Sequence, residues 1–421
     1  MSDLQSAVRN PQSAIYRPVV LLLIVQLLSG TMISPQRSFF PIYVEEQLGY
    51  TAVLVSAFVV TGQLLGMIAS VIGGALCDTL GRKWTLVLGL VGFVFASLTY
   101  LARVPWLVAL LWAVGGLGLG FYVLGGQSYL VDAASSERLG MLSALYYWGF
   151  TVGGALSSPG AGVILDSRGF GTFGLVLLAA SLVTTLGAAA FLPRLDSVKE
   201  ARLRPEAQPE GFFPKNLVSA LSKSLFGYGE VLRRPVVVML GLLRLLPTCY
   251  WGMASVLIPL LINRMAGSKT AVALYATISQ ILASLAQMLV GRAADRWGRR
   301  WPTLVAFGTL VFSAIGLASF ATHLWSFYTF GVLGACAAWS LSTLMPCLVS
   351  DATPIEERGR VLGTLHLLWN VGMMVGSLLG GALVEVAAGL PFFIAALLNL
   401  GAVVLAVSFF RLVAPQENRV A

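Results

Sequence analysis

Two stretches of sequence decide the fold: residues 74–83, GALCDTLGRK, and residues 291–300, GRAADRWGRR. Both read G-x-x-x-D-x-x-G-R-[KR], and Asp295 follows Asp78 by 217 residues. The same spacing pairs Gln63 with Gln280 upstream. A chain that repeats itself at such a distance is built from two similar halves.

The composition is that of a membrane protein. Of 421 residues, 57% are hydrophobic and 11% are charged, and the mean hydropathy is +0.84. A soluble protein is about one quarter charged. These values exclude a disordered protein, a nucleic-acid-binding domain and an ordinary soluble enzyme. We therefore expect the chain to lie in a lipid bilayer and to bind no nucleic acid.

Apolar runs separated by charged residues occur twelve times, and a bilayer-spanning helix needs about 20 apolar residues. The runs lie at about 18–45, 52–77, 84–102, 106–132, 140–165, 171–192, 236–262, 271–293, 302–322, 325–350, 360–386 and 391–412. The pattern predicts an all-α protein of twelve transmembrane helices in two pseudo-symmetric six-helix bundles. The predicted domains are residues 1–192, a cytoplasmic linker at 193–235, and residues 236–421.

Basic residues are distributed unequally between the two ends of these spans. If the N-terminus is cytoplasmic, 21 Lys and Arg residues lie inside and four outside. Cytoplasmic loops carry such an excess, so both termini are predicted to be cytoplasmic. The net charge of +9 then reports orientation and not an attraction for nucleic acid. The compact loops favour a bacterial inner (plasma) membrane, and we expect a monomer.

The repeated loop resembles the hallmark loop of the major facilitator superfamily of secondary transporters, G-x-L-x-D-[RK]-x-G-[RK]-[RK]. The residues that carry this resemblance, and that we predict to act in gating, are Gly74, Asp78, Gly81, Arg82 and Lys83 in the first copy and Gly291, Asp295, Gly298 and Arg299 in the second. Thr79 and Ala293 depart from the pattern. The resemblance implies a twelve-helix fold that transports by alternating access.

The chemistry of the loop supports a gate without the resemblance. Two glycines allow a tight reversal between helices, and an aspartate accepts charge-assisted hydrogen bonds at a helix terminus. Asp132 and Asp351, at the inner ends of spans four and ten, complete the predicted gating set. The alternative is that the basic residues only anchor the loops at the cytoplasmic surface.

Arg37 and Arg244 are the two basic residues inside predicted spans. Arg244 lies nine residues past Pro235, about 14 Å along a helix, where a charge costs at least ~2.5 kcal/mol. Arg37 lies closer to the outer end, where it could reach the interface or pair with Glu45 or Glu46. Polar residues deep in spans mark functional sites, so both are candidates for binding substrate.

Further polar and aromatic side chains in the spans are candidates for the substrate site. They are Gln63, Gln127, Tyr146, Trp148, Trp251, Gln280, Gln287, His366 and Asn370. Their aromatic surface suits an amphipathic ligand. The alternative for each is ordinary packing or hydrogen bonding between helices.

No carboxylate is placed near the middle of a predicted span, although a buried Asp or Glu is the usual proton carrier. The remaining candidates for proton coupling are His366, Asp132, Glu45, Glu46 and Glu385. With two histidines far apart and no HExxH motif, we expect no metal site, no cofactor and no enzymatic activity.

Residues 154–162 partly resemble the antiporter signature of drug-exporting family members, G-x-x-x-G-P-x-x-G-G. Gly154, Pro159 and Gly162 match, whereas Ser158 and Val163 replace glycines. We therefore predict a secondary transporter that exports small amphipathic compounds, with H+ as the candidate coupling ion. The alternatives are an organic-anion exchanger or uniporter that uses Arg37 and Arg244, and an amphipathic-lipid flippase. The arrangement of the two arginines resembles that of the family's organophosphate–phosphate antiporters, which use arginines in these two spans.

Overall fold

The computed structural model describes residues 11–134, 139–195, 234–354 and 357–417. Throughout these residues the regular structure is helical, which confirms the predicted all-α membrane fold. The long helices are α1 (Pro11–Leu48), α2 (Ala52–Thr79), α3 (Arg82–Leu98), α4 (Pro105–Ala133), α5 (Leu139–Phe191), α6 (Pro235–Ala266), α7 (Lys269–Trp297), α8 (Arg300–Ser319), α9 (Val332–Ala352), α10 (Arg358–Val384) and α11 (Leu390–Glu417).

Eleven helical segments of the described residues are long and apolar enough to cross a membrane. The segment α5 contains two of the predicted spans, because Gly169 interrupts it with φ 72° and ψ −178°. Glycine adopts a positive φ without a Cβ clash, so the chain can turn there between spans five and six. With this turn, the helices correspond to all twelve predicted spans.

Local sequence explains several helix ends. Pro105 and Pro235 lie in the first turns of α4 and α6, where a backbone N–H is not needed. Gly267 ends α6 in the left-handed conformation, with φ 61°. Ser268 then caps α7, and its Oγ accepts a hydrogen bond from Ala271 N at 3.4 Å.

The chain forms two compact units. Of the described residues, unit 1 comprises 11–36, 64–134 and 139–195, and unit 2 comprises 37–63, 234–354 and 357–417. The helices α1 and α2 therefore contribute one end to each unit. The division into halves at a linker over 193–235 stays a prediction, since most of that linker lies outside the described residues.

Each unit contains a close helix crossing at a glycine. A Cβ on Gly153 of α5 would lie 2.0 Å from Leu27 O of α1, in unit 1. A Cβ on Gly376 of α10 would lie 2.2 Å from Cys249 O of α6, in unit 2. Small residues let membrane helices approach until their backbones touch. The two crossings join the first and fifth spans of each half, so the internal repeat extends from the loops to the helix packing.

Candidate functional site

The repeated loop places a basic residue against an aspartate in both units. Arg82, the first residue of α3, forms an ion pair with Asp132 near the end of α4. Arg299 forms an ion pair with Asp351 near the end of α9 and donates a hydrogen bond to Cys347 O at 2.9 Å. The structure thus brings these predicted gating residues together in the same way in each half.

The second glycine of each loop makes the turn between helices. Gly81 has φ 83° and Gly298 has φ 75°. Gly74 and Gly291 lie inside α2 and α7, and a Cβ on either would meet no atom within 4 Å. The expectation that both glycines shape the reversal is therefore wrong, because α2 and α7 continue past the first glycine.

Among the described side chains, the other charged residues of the loops do not join these ion pairs. The side chain of Asp78 lies outside the described residues. Asp295 is exposed and forms no ion pair within the described part of the chain. Lys83 lies over an aromatic ring instead of a carboxylate. The gating roles of these three residues stay predictions.

A cluster of polar side chains lies in unit 1, where α1, α4 and α5 meet. The Tyr122 hydroxyl donates a hydrogen bond to Gln26 Oε1, and Gln26 is only 1% exposed. The Tyr146 hydroxyl faces Gly126, where a Cβ would come within 2.2 Å of it. Gly126 therefore leaves the space that this hydroxyl occupies.

The cluster continues through two residues next to those. Gln127 Nε2 donates to Tyr147 Oη at 2.8 Å, and the Tyr147 ring packs edge-on against Tyr146 at 5.3 Å between centroids. Trp148, the next residue, is 44% exposed. The structure thus joins the predicted residues Gln127 and Tyr146 in one cluster. Sequence reasoning missed Gln26 as a member, although an amide in an apolar run was a usable signal.

Arg244 of α6 is tied to α9 in unit 2. Its Nη1 donates to Ser342 Oγ at 2.9 Å. Within the described residues no carboxylate pairs with Arg244. A guanidinium carries five N–H donors in a planar fork that fits a carboxylate or a phosphate. The half-buried cation can therefore bind an anionic or strongly polar group of a ligand.

Aromatic rings lie on the same pair of helices as Arg244. Trp251 and Trp339 meet edge to face, with ring centroids 6.3 Å apart. Gln287 Nε2 donates to Trp339 O at 3.3 Å and to Thr343 Oγ1 at 2.9 Å. The helix α9 therefore connects the predicted binding residues of α6 to those of α7.

His366 and Asn370 lie one turn apart on α10. The His366 ring is exposed and stacks on Trp369, with centroids 5.6 Å apart. Asn370 donates to His366 O at 3.0 Å, a bond within its own helix. The hydrogen bond gives the Asn370 side chain a structural role within α10. The exposed His366 ring can still contact a ligand.

Two glutamates at the end of α1 make three contacts with the turn between α6 and α7, all within unit 2. Arg264 Nε donates to Glu45 Oε1 at 2.7 Å. Lys269 Nζ and Asn263 Nδ2 each lie 2.8 Å from Glu46 Oε1. We call these contacts the α1-end pairs. They use the carboxylates that were candidates for pairing with an arginine inside the membrane.

Arg37 is exposed and forms no ion pair among the described residues. Of the two alternatives for Arg37, pairing with Glu45 or Glu46 is therefore wrong. Both glutamates lie in the last turn of α1, where the donors of α6 and α7 are in direct contact with them. Arg37 remains a candidate cation for a ligand.

The first part of α2 lies along α10, again within unit 2. Ala52 N donates to Glu385 Oε1 at 2.7 Å, and a Cβ on Gly381 would meet Ser56 Oγ at 2.3 Å. Gln63 Nε2 continues the line with a bond of 3.2 Å to Ser377 Oγ. For Gln63 the geometry therefore favours the alternative of sealing two helices. Its repeat partner Gln280 is half-buried on α7.

The described carboxylates all lie near a helix end or the α5 kink. They are Glu45, Glu46, Asp132, Asp166, Asp295, Asp351, Glu357 and Glu385. No group of three His, Cys, Asp or Glu side chains in the described residues could hold a metal ion. The cluster around Gln26 and Tyr146 offers hydrogen-bonding groups in unit 1. Arg244 with Trp251 and Trp339 offers a cation beside aromatic rings in unit 2. Such groups can bind a molecule that is partly apolar and partly polar.

Comparison with known proteins assigns the chain to a family. The model of the Major Facilitator Superfamily matches residues 22–268 and 248–421. The solved structure of a nucleoside transporter, NupG, is similar with a TM-score of 0.70 and 16% sequence identity, over 93% of this chain and 99% of that one. At this identity the likeness shows the fold.

Relatives of similar sequence are efflux and resistance proteins. The class H tetracycline resistance protein of Pasteurella multocida is 30% identical over 202 residues, which is 44% of this chain and 46% of that protein. Multidrug resistance protein 1 of Bacillus subtilis is 28% identical over 171 residues, which is 40% of this chain and 42% of that protein. The chain thus spans less than half the length of these two relatives.

Proposed function

Because the chain belongs to the major facilitator superfamily, we propose that it is a secondary transporter that exports amphipathic organic compounds in exchange for protons. The observation that carries this proposal is the cluster in unit 2, where Arg244 and the Trp251–Trp339 pair lie on apolar helices. A cation beside aromatic surface suits a solute with one polar end and an apolar body. The tetracycline and multidrug resistance proteins among the relatives support the same class.

Transport by alternating access requires one end of the pathway to close while the other opens. The α1-end pairs and the contact of α2 with α10 tie first-half helices to second-half helices within unit 2. In the proposed orientation these contacts lie at the outer end. We therefore assign them the role of an outer gate, closed in this conformation.

Proton coupling needs a group that changes charge during the cycle. Glu45 and Glu46 form ion pairs in the closed gate, and Glu385 accepts the α2 backbone N–H. Adding a proton to any of these carboxylates removes the negative charge that holds its partner. We therefore favour them over His366, whose ring stacks on Trp369 and forms no ion pair within the described residues. Protons from outside would then open the outer gate.

The second candidate function is exchange or uniport of organic anions. Arg244 has no carboxylate partner among the described residues, and Arg37 has none either. Two cations within spans that lack a protein counter-charge favour an anionic solute. The two candidates differ in the charge of the substrate and in the need for a pH gradient.

A flux experiment in proteoliposomes decides between these candidates. We expect the purified protein to accumulate an amphipathic compound against its gradient when a pH gradient is imposed, and to stop when the gradient is collapsed by an ionophore. Cationic, neutral and anionic compounds of similar size are compared, with empty liposomes as the control. Uptake of anions without dependence on the pH gradient would replace the first proposal by the second.

The location follows from the same features. The helices and the family make the chain an integral membrane protein. We propose the bacterial inner membrane, with both termini cytoplasmic, because 21 of the basic residues then lie on the cytoplasmic side. A small-molecule substrate and H+ are its proposed partners, and a monomer is the proposed functional form.

A further inference from the structure

The repeated loop continues in both copies with a tryptophan, so that residues 81–84 read GRKW and residues 298–301 read GRRW. In unit 1, Lys83 Nζ lies 5.2 Å from the centroid of the Trp84 ring. Arg194 Cζ lies 5.6 Å from the same ring. In unit 2, Arg300 Cζ lies 5.9 Å from the Trp301 ring. Each half thus carries the same pair of a cation and an indole at the same place in the repeat.

The two basic residues of each loop have different partners. The first one pairs with an aspartate, as Arg82 does with Asp132. The second one, Lys83 or Arg300, forms no ion pair within the described residues and lies on the indole. The cation–indole pairs therefore carry positive charge that these parts of the protein do not neutralise.

The indoles of both pairs are accessible from outside the helices. The exposed fraction is 37% for Trp84 and 63% for Trp301. Exposed tryptophan is enriched where a membrane meets water, at the level of the lipid headgroups. In the proposed orientation both pairs lie at the cytoplasmic ends of their helices. Their surroundings there are the headgroups of the inner leaflet.

The local charge favours an anionic lipid over a zwitterionic one. Residues 291–300 contain four arginines and one aspartate. Arginine and lysine bind phosphate by charge-assisted hydrogen bonds. The second charge of a zwitterionic headgroup is positive, and it would lie among like charges at such a surface. An anionic headgroup lacks this positive charge, so it is not repelled.

We propose that the two cation–indole pairs are binding sites for anionic phospholipids of the inner leaflet. Lys83 and Arg194 hold the headgroup phosphate at one site, and Arg300 holds it at the other. The indoles of Trp84 and Trp301 pack against the glycerol and the first acyl carbons. One bound lipid per half follows from the repeat.

Counting bound lipids tests the proposal. The purified full chain is mixed in detergent with phosphatidylglycerol or phosphatidylcholine, and the lipids retained are counted by native mass spectrometry. We expect two molecules of phosphatidylglycerol and no preferential retention of phosphatidylcholine. The variants Lys83→Gln and Arg300→Gln should each retain one phosphatidylglycerol, and the double variant should bind it at least tenfold more weakly at both sites.

Matched variants separate a site from a general charge effect. Arg103→Gln/Arg168→Gln removes the same charge from two exposed arginines on the opposite, outer side of the proposed orientation. It should retain both lipids, and so should the conservative variant Lys83→Arg/Arg300→Lys. Size-exclusion chromatography of each variant shows whether it is folded. Equal retention in the Lys83→Gln/Arg300→Gln variant and the outer variant would overturn the proposal, as would equal binding of the two lipids.

Discussion

At the scale of single residues, Arg244 is the most informative side chain in the chain. It lies within a membrane span and donates one described hydrogen bond, to Ser342. No described carboxylate forms an ion pair with it. Burying a cation without a counter-ion is costly, so a chain keeps one where it binds something.

Replacing this cation should separate anionic from neutral ligands. We expect Arg244→Gln to weaken the binding of an anionic amphipathic compound by about 10- to 100-fold, since a hydrogen bond to a charged group contributes about 1.5–3 kcal/mol. Binding of a neutral compound of the same shape should change less than threefold. The dissociation constants are measured by titration of purified protein, with Arg103→Gln as the control. Unchanged affinity for the anion would exclude Arg244 from the site.

Single residues also mark the limit of prediction from sequence. The arginines, the glutamines and His366 could be selected because a polar residue in an apolar run is visible in the sequence. Gln26 could not be assigned to the cluster of Tyr122 and Tyr146, because its hydrogen-bond partner Tyr122 lies on another helix. A single sequence shows that Gln26 is polar, but it does not show that its partner lies about 100 residues away.

At the scale of elements, the two glycines of the repeated loop have different roles, because only the second one turns the chain. Gly298 has φ 75°, whereas Gly291 lies inside α7 with open space beside its Cα. At φ 75° and ψ 168° the backbone lies in a region that is essentially restricted to glycine, where a side chain costs about 1–3 kcal/mol. An alanine inside a helix is favoured over glycine by about 0.5–1 kcal/mol. The two glycines of one motif should therefore respond in opposite directions to the same substitution.

The opposite responses provide a prediction with a built-in control. We expect Gly298→Ala to lower the apparent melting temperature of the purified protein, and Gly291→Ala to leave it unchanged or raise it. The same order is expected for Gly81→Ala and Gly74→Ala in the first half. Thermal unfolding in detergent, followed by size-exclusion chromatography, measures the order. A lower melting temperature for Gly291→Ala than for Gly298→Ala would contradict the assignment of the turn.

At the scale of the whole molecule, the compact units do not coincide with the two sequence halves. Residues 37–63, from α1 and α2, join the helices of the second half in unit 2. The contacts that join them include the α1-end pairs and the close approach of Ser56 to Gly381. A transporter that alternates must break such contacts once in each cycle.

Charge reversal tests whether these contacts act as a gate. We expect Glu45→Lys to shift the population toward an open outer end by roughly fivefold, since a partly exposed ion pair is worth about 0.2–1 kcal/mol and reversal adds repulsion of Arg264. The buried Ser56 is changed to Cys in a variant without the native cysteines, and its rate of labelling by a membrane-impermeant maleimide measures opening. The rate should rise with the opening.

The swapped pair is the matched control for this gate. In Glu45→Lys/Arg264→Glu the charges attract again, so labelling of the introduced cysteine should return to within about twofold of the original rate. An equal rise in the single and the swapped variants would show that the ion pair does not hold the gate.

The sequence by itself determined the membrane class, the twelve spans, the internal repeat and the residues of the repeated loop. These features depend on hydrophobicity and on spacing along the chain, which are local properties. Only the tertiary structure decided that Glu45 and Glu46 pair with Arg264 and Lys269 and not with Arg37. It also decided which loop cation meets an aspartate and which meets an indole. Partners of charged groups are chosen by distance in space, and helix packing sets that distance.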